Sequence, residues 1–427
     1  MGNLAPLLIE AADSKRGSAA PWLEALRNRG RAEFSARGLP NRRDEAWRYS
    51  DLARALADEP DFSGAADRPL PEIEGAHLVA FDDGVLNESL SQLAPAGAIS
   101  LRPVLTDRDA TPAAEIGRTN RQSDHPILGL NLALMEEGLV LTLPEGKILE
   151  KPIHLRFQWR GTDRPAPEGR HIRILIELQQ GSQATILETH DGCPGFATIV
   201  SEVRLARSAA LTHLRVERLG SAARQSAATL GELEEDAQYR GFYLSEGGHF
   251  CRHEALLKLA GEGAEARIDG AYLLAERRHC DNRTVLTHAA PRTQSRQTLH
   301  GVLGGQSRGV YQGCVRVEPL AQGTDARQMS RALLLSHSAE IATKPELEIF
   351  ADDVKCGHGA TAGELDAAAL FFLRSRGIPE PEARALLVEA FLGQTLETIE
   401  NGALRQLAAR VTQDWLALHA GEVAHVE

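Results

Sequence analysis

Two short stretches combine imidazole with thiol at spacings that could chelate a soft metal. The first is His249-Phe250-Cys251-Arg252-His253. On a β-strand alternate side chains share one face, so an imidazole, a thiol and a second imidazole would line up there. Zinc and iron both accept nitrogen and sulfur donors, which makes this face a candidate metal site. The plainer alternative is three partly buried polar groups, each satisfied by its own neighbours. The second stretch is Lys355-Cys356-Gly357-His358-Gly359-Ala360-Thr361. Glycines on both sides of His358 imply a free, exposed backbone, which a core histidine does not need. Lys355 beside Cys356 would favour the thiolate. Cys356 and His358 supply two ligands where a closed site needs four, so a metal here would borrow ligands from another chain.

The elements that must position these residues change character along the chain. Residues 1–70 read as an N-terminal helical region, with Trp22, Leu23, Leu26 and Phe34 near helical spacing and Gly38-Leu39-Pro40 as the stop. Arg43 to Leu52 mixes charges with Trp47 and Tyr49 and reads as a helix or turn that docks those rings on a core. Residues 71–350 are assigned to a β core, with 71–130 undecided. Within it the period becomes two: Leu139, Leu141 and Leu143, then Ile172, Ile174 and Ile176, then Val203 with Leu205 and Leu214 with Val216. The scarcity of long amphipathic helices there argues against a βαβ fold. Glycine follows a residue pair in three strands, at Gly270, Gly301 and Gly313, with spacings too irregular for propeller blades. A sandwich or an irregular parallel β-helix fits better, because each coil of a solenoid tolerates its own loop length. Residues 351–427 return to helix, with Ala383, Leu386, Leu387, Ala390 and Phe391 on one stripe. Leu386, Leu387 and Phe391 are candidates for a partner-facing surface, against the alternative of packing on the β core.

Composition excludes several classes. A length of 427 residues suggests about three domains at ~150 residues each, or one large β architecture with attachments. A net charge of −12 and a pI near 5.7 argue against an electrostatic grip on nucleic acid or an anionic membrane. The longest apolar run, Ala367 to Leu373, is far short of the ~20 residues that cross a bilayer. The first residues include Glu10 and Asp13 and lack a signal pattern, and the five scattered cysteines contain no Cys-x-x-Cys. A cytoplasmic protein with reduced thiols is expected. No phosphate loop occurs: Gly146-Lys147 has Leu141 and Ile148 where glycine and Ser/Thr belong. Gly-x-Ser-x-Gly and His-Glu-x-x-His are also absent.

The run Lys344-Pro345-Glu346-Leu347-Glu348-Ile349-Phe350-Ala351-Asp352-Asp353-Val354, continuing through Lys355 to Thr361, resembles the signature of the SufB/SufD family of the SUF iron–sulfur cluster assembly system. Leu370-Phe371-Phe372-Leu373-Arg374-Ser375-Arg376-Gly377-Ile378 extends the likeness, and Asp44 to Leu52 is similar to the family's amino-terminal motif. Leu143-Pro144-Glu145-Gly146 followed by Lys151-Pro152-Ile153 resembles the entry to its core. The likeness implies a mainly β chain: a right-handed parallel β-helix core flanked by N-terminal and C-terminal α-helical domains.

Within that family the chain resembles the SufD type. Where the SufB paralogue carries the cysteine and histidine of Cys-x-x-His-Thr-x-Pro, this chain has Ala339 and Ala342, and Gly359 stands in place of a glutamate. The resemblance implies a non-catalytic scaffold subunit that pairs with a SufB-like paralogue and binds a SufC-like ABC-type ATPase through its C-terminal helices. His358, with Cys356 as an accessory thiol, would face a transient iron–sulfur cluster or iron shared with SufB. No tightly bound cofactor is expected in the isolated chain, and a homodimer is possible there. His249, Cys251 and His253 stay unassigned by the resemblance. Two readings from other classes stand beside it: a β-helix polysaccharide-cleaving enzyme, which would need grouped carboxylates, and a stand-alone metalloprotein built on the His249–Cys251–His253 face.

Overall fold

Short strands with a period of two, each closed by a turn, can stack in parallel when every coil lies in register on the one before. The chain does this throughout its centre. The computed structural model describes residues 4–14, 20–58, 69–91, 99–103, 116–118, 125–160 and 169–420. Among them, strands run from β1 (His77–Asp82) to β19 (Val354–Gly363). From β4 (Glu137–Leu143) onward they alternate between two sheets, so each coil contributes one strand to each. Odd-numbered strands from β5 (Ile153–Trp159) to β19 pair in parallel in the larger sheet, which β1 and β2 (Val85–Leu86) complete. Even-numbered strands from β4 to β18 (Glu340–Ile349) make the other sheet, with β3 (Ser100–Pro103) at its antiparallel edge. The result is a parallel β-solenoid.

One corner of the solenoid forms a third ladder. Gly181, Ser208, Asp236, Gly263, Arg292 and Gly323 all take left-handed backbone, with φ between 55 and 74°. Each donates its N–H to a carbonyl at the same corner of the next coil, at 2.7–3.2 Å. Glycine, serine and aspartate tolerate this conformation, and the turn signals between strands arise from it. The spacings of Gly270, Gly301 and Gly313 also resolve. The first two lie on successive strands of one sheet, β13 (Glu265–Leu274) and β15 (Gln294–Leu303), and Gly313 lies across the solenoid on β16 (Arg308–Val317).

The lumen holds the aliphatic rows Leu139/Leu141/Leu143, Ile172/Ile174/Ile176 and Val203/Leu205. Leu214 and Val216 point the other way. They lie outside the larger sheet, under Val388, Leu392, Leu404 and Val411 of the C-terminal helices α6 (Glu380–Leu396) and α7 (Gly402–Leu418). Both faces of these strands are therefore buried, as parallel sheets require. The smaller sheet is covered by the N-terminal region: α1 (Leu4–Ser14), α2 (Pro21–Arg37), α3 (Leu52–Ala57) and α4 (Pro126–Leu134). α2 buries Leu23, Leu26, Gly30 and Phe34 and ends at Gly38, whose N–H caps Phe34 at φ 71°.

One expected boundary moves. The helical region expected from residue 351 begins only at α5 (Ala367–Ser375), because Val354–Gly363 forms the last strand of the solenoid. Its glycines and alanines hide it from a periodicity reading, since a terminal strand has little to bury.

α2 and α4 cross closely because both present glycine. A Cβ on Gly30 would stand 2.5 Å from the carbonyl oxygen of Gly129. Gly30→Val should therefore cost about 1–3 kcal/mol, read as a lower denaturation midpoint by circular dichroism. An unchanged midpoint would mean that the helix pair separates freely.

Candidate functional site

A solenoid of stacked coils must end, and its last coil has no successor to pair with. Here the last coil is β18 and β19, each the terminal strand of its sheet and each ten residues long. β18 carries Pro345, a residue confined to sheet edges because it offers no N–H. β19 has no proline.

His358 lies on β19, exposed, in register with buried Gln328 of β17 (Thr324–Leu334). Cys356, two residues earlier, shares its face and packs with Val315, Val317 and Ala326 at the end of the lumen. The two candidate ligands thus come together at the mouth of the solenoid. Gln328 beneath them donates Nε2 to the Glu346 carbonyl at 2.7 Å. Burial raises the Cys356 thiol, and the Asp325 carboxylate adds to it. This corrects the expected help from Lys355, which as the neighbouring residue on a strand points to the opposite face. The glycines also act otherwise than expected. The strand is regular; a Cβ on Gly359 would meet only the flexible end of Met329, at Cε 2.7 Å, and Gly357 faces open space.

The amino-terminal motif braces this end from outside. Glu45 and Glu346 both hold the Lys344 ammonium of β18, at 2.6 and 2.9 Å. The Ala46 carbonyl accepts from Arg252 at 2.7 Å and from Gln312 at 3.1 Å. Trp47 lies under the Arg252 guanidinium at 4.0 Å and stacks on Phe250. One nine-residue segment therefore touches β12 (Phe250–Leu259), β16 and β18.

Comparison with known proteins places this architecture. A profile described as "SUF system FeS cluster assembly, SufBD core domain" matches residues 160–391, and "SufBD protein N-terminal region" matches residues 4–155. The chain belongs to the SufBD family. It is 30% identical to an iron–sulfur cluster assembly SufBD family protein of Synechocystis, covering 92% of this chain and 89% of that one. It is 28% identical to the iron–sulfur cluster assembly protein SufD of Escherichia coli, over 88% of this chain and 89% of the relative. SufD of Bacillus subtilis is 24% identical, with 91% and 93% covered.

In this SufBD chain the first candidate group divides. Cys251 and His253 face the lumen from β12, but His249 precedes the strand and turns outward to Asp58 at 3.3 Å. The expected single row of three fails because the strand geometry begins only at Phe250. Among the described residues no group of three or more His, Cys, Asp or Glu is arranged to hold a metal. Cys251 and His253 instead join a buried polar network that periodicity could not reveal. Glu188 accepts from Arg215 at 2.6 Å, Ser201 at 2.9 Å and His213 at 3.0 Å. Glu217 accepts from Arg215 at 2.6 Å, Gln225 at 2.9 Å and the Cys251 thiol at 2.9 Å. Burial by itself would raise Glu217, but Arg215, His190 and the Cys251 hydrogen bond outweigh it and hold the carboxyl at about 2. Burial, reinforced by Arg215, drives His253 down to about 3 and His190 to about 4.

The C-terminal candidates also divide. Phe391 stacks on His300 at 4.6 Å and Leu387 is half-buried, whereas Leu386 is 40% exposed. The sequence reading missed Phe371 and Phe372 on α5 as surface groups, although they lie in its longest apolar run. They are 73% and 53% exposed, and α5 has no buried residue.

The buried histidines set a pH dependence. Their native pKa values lie below the unfolded ~6.5, so the unfolded chain takes up more protons and stability falls as pH drops from about 7 toward 4. Each such group removes at most about 1.4 kcal/mol per pH unit. Urea midpoints should fall between pH 7 and 5, and His253→Gln should flatten the slope. A flat wild-type profile would contradict neutral burial of these rings.

Proposed function

We propose that this chain is a SufD-like, non-catalytic subunit of a cytoplasmic SufB–SufC–SufD scaffold. In this reading it pairs with a SufB-like paralogue through the open end of its solenoid. The observation that carries it is His358, exposed on a ten-residue terminal strand whose outer side meets no other described strand and which has no proline to interrupt a new ladder. Native proteins cover or blunt such edges, and a matching strand from a related solenoid would satisfy the free N–H and C=O groups. A pairing surface built for a close paralogue also suits self-pairing, so the isolated chain would form a homodimer.

At that junction His358 lends an imidazole to an iron–sulfur cluster in assembly, and Cys356 is a nearby thiol. The cluster is cargo, formed with ligands from both chains and then released. An imidazole in place of one thiolate makes a site looser than four thiolates, which suits a cluster that must leave. The thiolate and glutamate that the paralogue would supply are replaced here by Ala339 and Gly359. ATP hydrolysis belongs to the SufC-like partner, which docks on the C-terminal helices. Phe371 and Phe372, together with Leu386 and Leu418, are large apolar groups exposed there.

Co-expression with SufB-like and SufC-like proteins, followed by native mass measurement, tests the assembly. A complex with one copy each of this chain and SufB and two of SufC is expected, and a chain recovered alone beside folded partners would sink the proposal. His358→Ala should lower cluster formation by the complex at least severalfold with its composition unchanged. Phe371→Ser combined with Phe372→Ser should release the ATPase while leaving the SufB pairing intact. Retention of both partners by that variant would move the ATPase surface elsewhere.

A further inference from the structure

Two of the five cysteines meet deep in the lumen, far along the solenoid from Cys356. Cys251 of β12 and Cys280 of β14 (His279–His288) are direct register partners on neighbouring parallel strands. Each is about 1% exposed. Parallel strands run about 4.8 Å apart, within the Cα separation of about 4.4–6.8 Å that disulfides span. Register partners point to the same side of a sheet, so the two Cβ–Sγ bonds enter the lumen together.

The surroundings are polar where a packed aliphatic lumen would leave thiols inert. Cys251 Sγ donates to Glu217 Oε2 at 2.9 Å, and Ser245 Oγ lies 3.7 Å from the same sulfur. Asn282 Nδ2 donates to Cys280 Sγ at 3.4 Å. Glu217 is held ionised by Arg215, and its carboxylate accepts from the Cys251 thiol and keeps that thiol protonated. Cys193, by contrast, is buried just past a strand that ends at Gly192, outside the strand register.

We propose that Cys251 and Cys280 form a peroxide-sensitive dithiol that closes to a disulfide inside the folded solenoid. The Cys251 thiol gives up its proton to water, and the thiolate attacks one oxygen of hydrogen peroxide. An S–O bond forms, the O–O bond breaks, and hydroxide leaves to be protonated to water. Cys280 sulfur then attacks the sulfenic sulfur, the S–S bond forms and a second water departs. In sum two thiols and one peroxide give one disulfide and two waters, the sulfurs losing two electrons between them. The neighbouring Cys280 thiol and burial both raise the Cys251 thiol, so the closure is slow beside oxidation of half-exposed Cys314 and Cys356. The product ties two successive coils together and leaves the open edge of the solenoid untouched.

The test uses the full chain and needs no partner. It is incubated with hydrogen peroxide, alkylated, and digested with trypsin without reductant. Residues 241–252 and 279–283 are the tryptic peptides that carry the two thiols. They should appear joined, two hydrogens lighter than their sum. Recovery of both as separate alkylated peptides after Cys314 and Cys356 are fully oxidised would overturn the proposal, as would sulfinic acid at either without a cross-link. Glu217→Gln should speed closure at least tenfold with Cys314 oxidation unchanged, because the neutral amide no longer holds the Cys251 thiol protonated, and equal or slower closure would remove Glu217 from control of that thiol. Should Glu217→Gln fail to fold, Cys280→Ser gives the second reading: Cys251 should then trap as a dimedone-reactive sulfenic acid. Cys251 left unreactive in that variant would overturn its role as the attacking sulfur.

Discussion

Everything in this molecule depends on the parallel backbone ladder, in which each coil is the hydrogen-bonding template for the next. A parallel ladder can be extended coil after coil, but it cannot close on itself without forming a barrel. The chain therefore carries an unavoidable consequence at its last coil, where β18 and β19 present two rows of backbone groups that no internal strand meets. An exposed histidine, His358, stands at that position. Elsewhere the same ladder demands burial on both faces, which explains why helices from the two ends of the chain wrap opposite sheets.

The second constraint is charge in the lumen. Taking Arg215, Glu188 and Glu217 out of water costs several kcal/mol per ion before compensation. The structure offsets this with a closed set of partners, each carboxylate accepting from at least three donors. Removing one partner leaves another charge buried and unmet. The network therefore stabilises one register of the coils more than it stabilises the fold in general. A slip by one residue would turn Arg215 out of the lumen and Leu214 into it.

The amino-terminal motif gains a physical meaning in this setting. In sequence, Asp44 to Leu52 reads only as charges and rings that dock on some core. In the fold its backbone carbonyl at Ala46 and the Trp47 ring engage Arg252, while Glu45 reaches the edge strand through Lys344. The motif thus links the first helices to the last coil across about 300 residues of chain. Nothing in local spacing points to such a partner, because the two segments are neighbours only after the coils between them have stacked.

The amino acid sequence by itself determined the class of architecture and which imidazole and thiol share a face near its end. The period of two, the left-handed turn residues and the Lys344–Thr361 run are local signals, and local signals survive without coordinates. His358 and Cys356 are legible because i and i+2 on a strand share a face whatever the strand meets. Tertiary structure alone decided which face of each strand became lumen. Leu214 and Val216 turn outward and His213, Arg215 and Glu217 inward because the C-terminal helices cover that sheet from outside. It also decided that His249 leaves its neighbours and that Cys251 meets Cys280, twenty-nine residues away in sequence. Period tells a strand to have two faces; only the stacking of coils says what each face will touch.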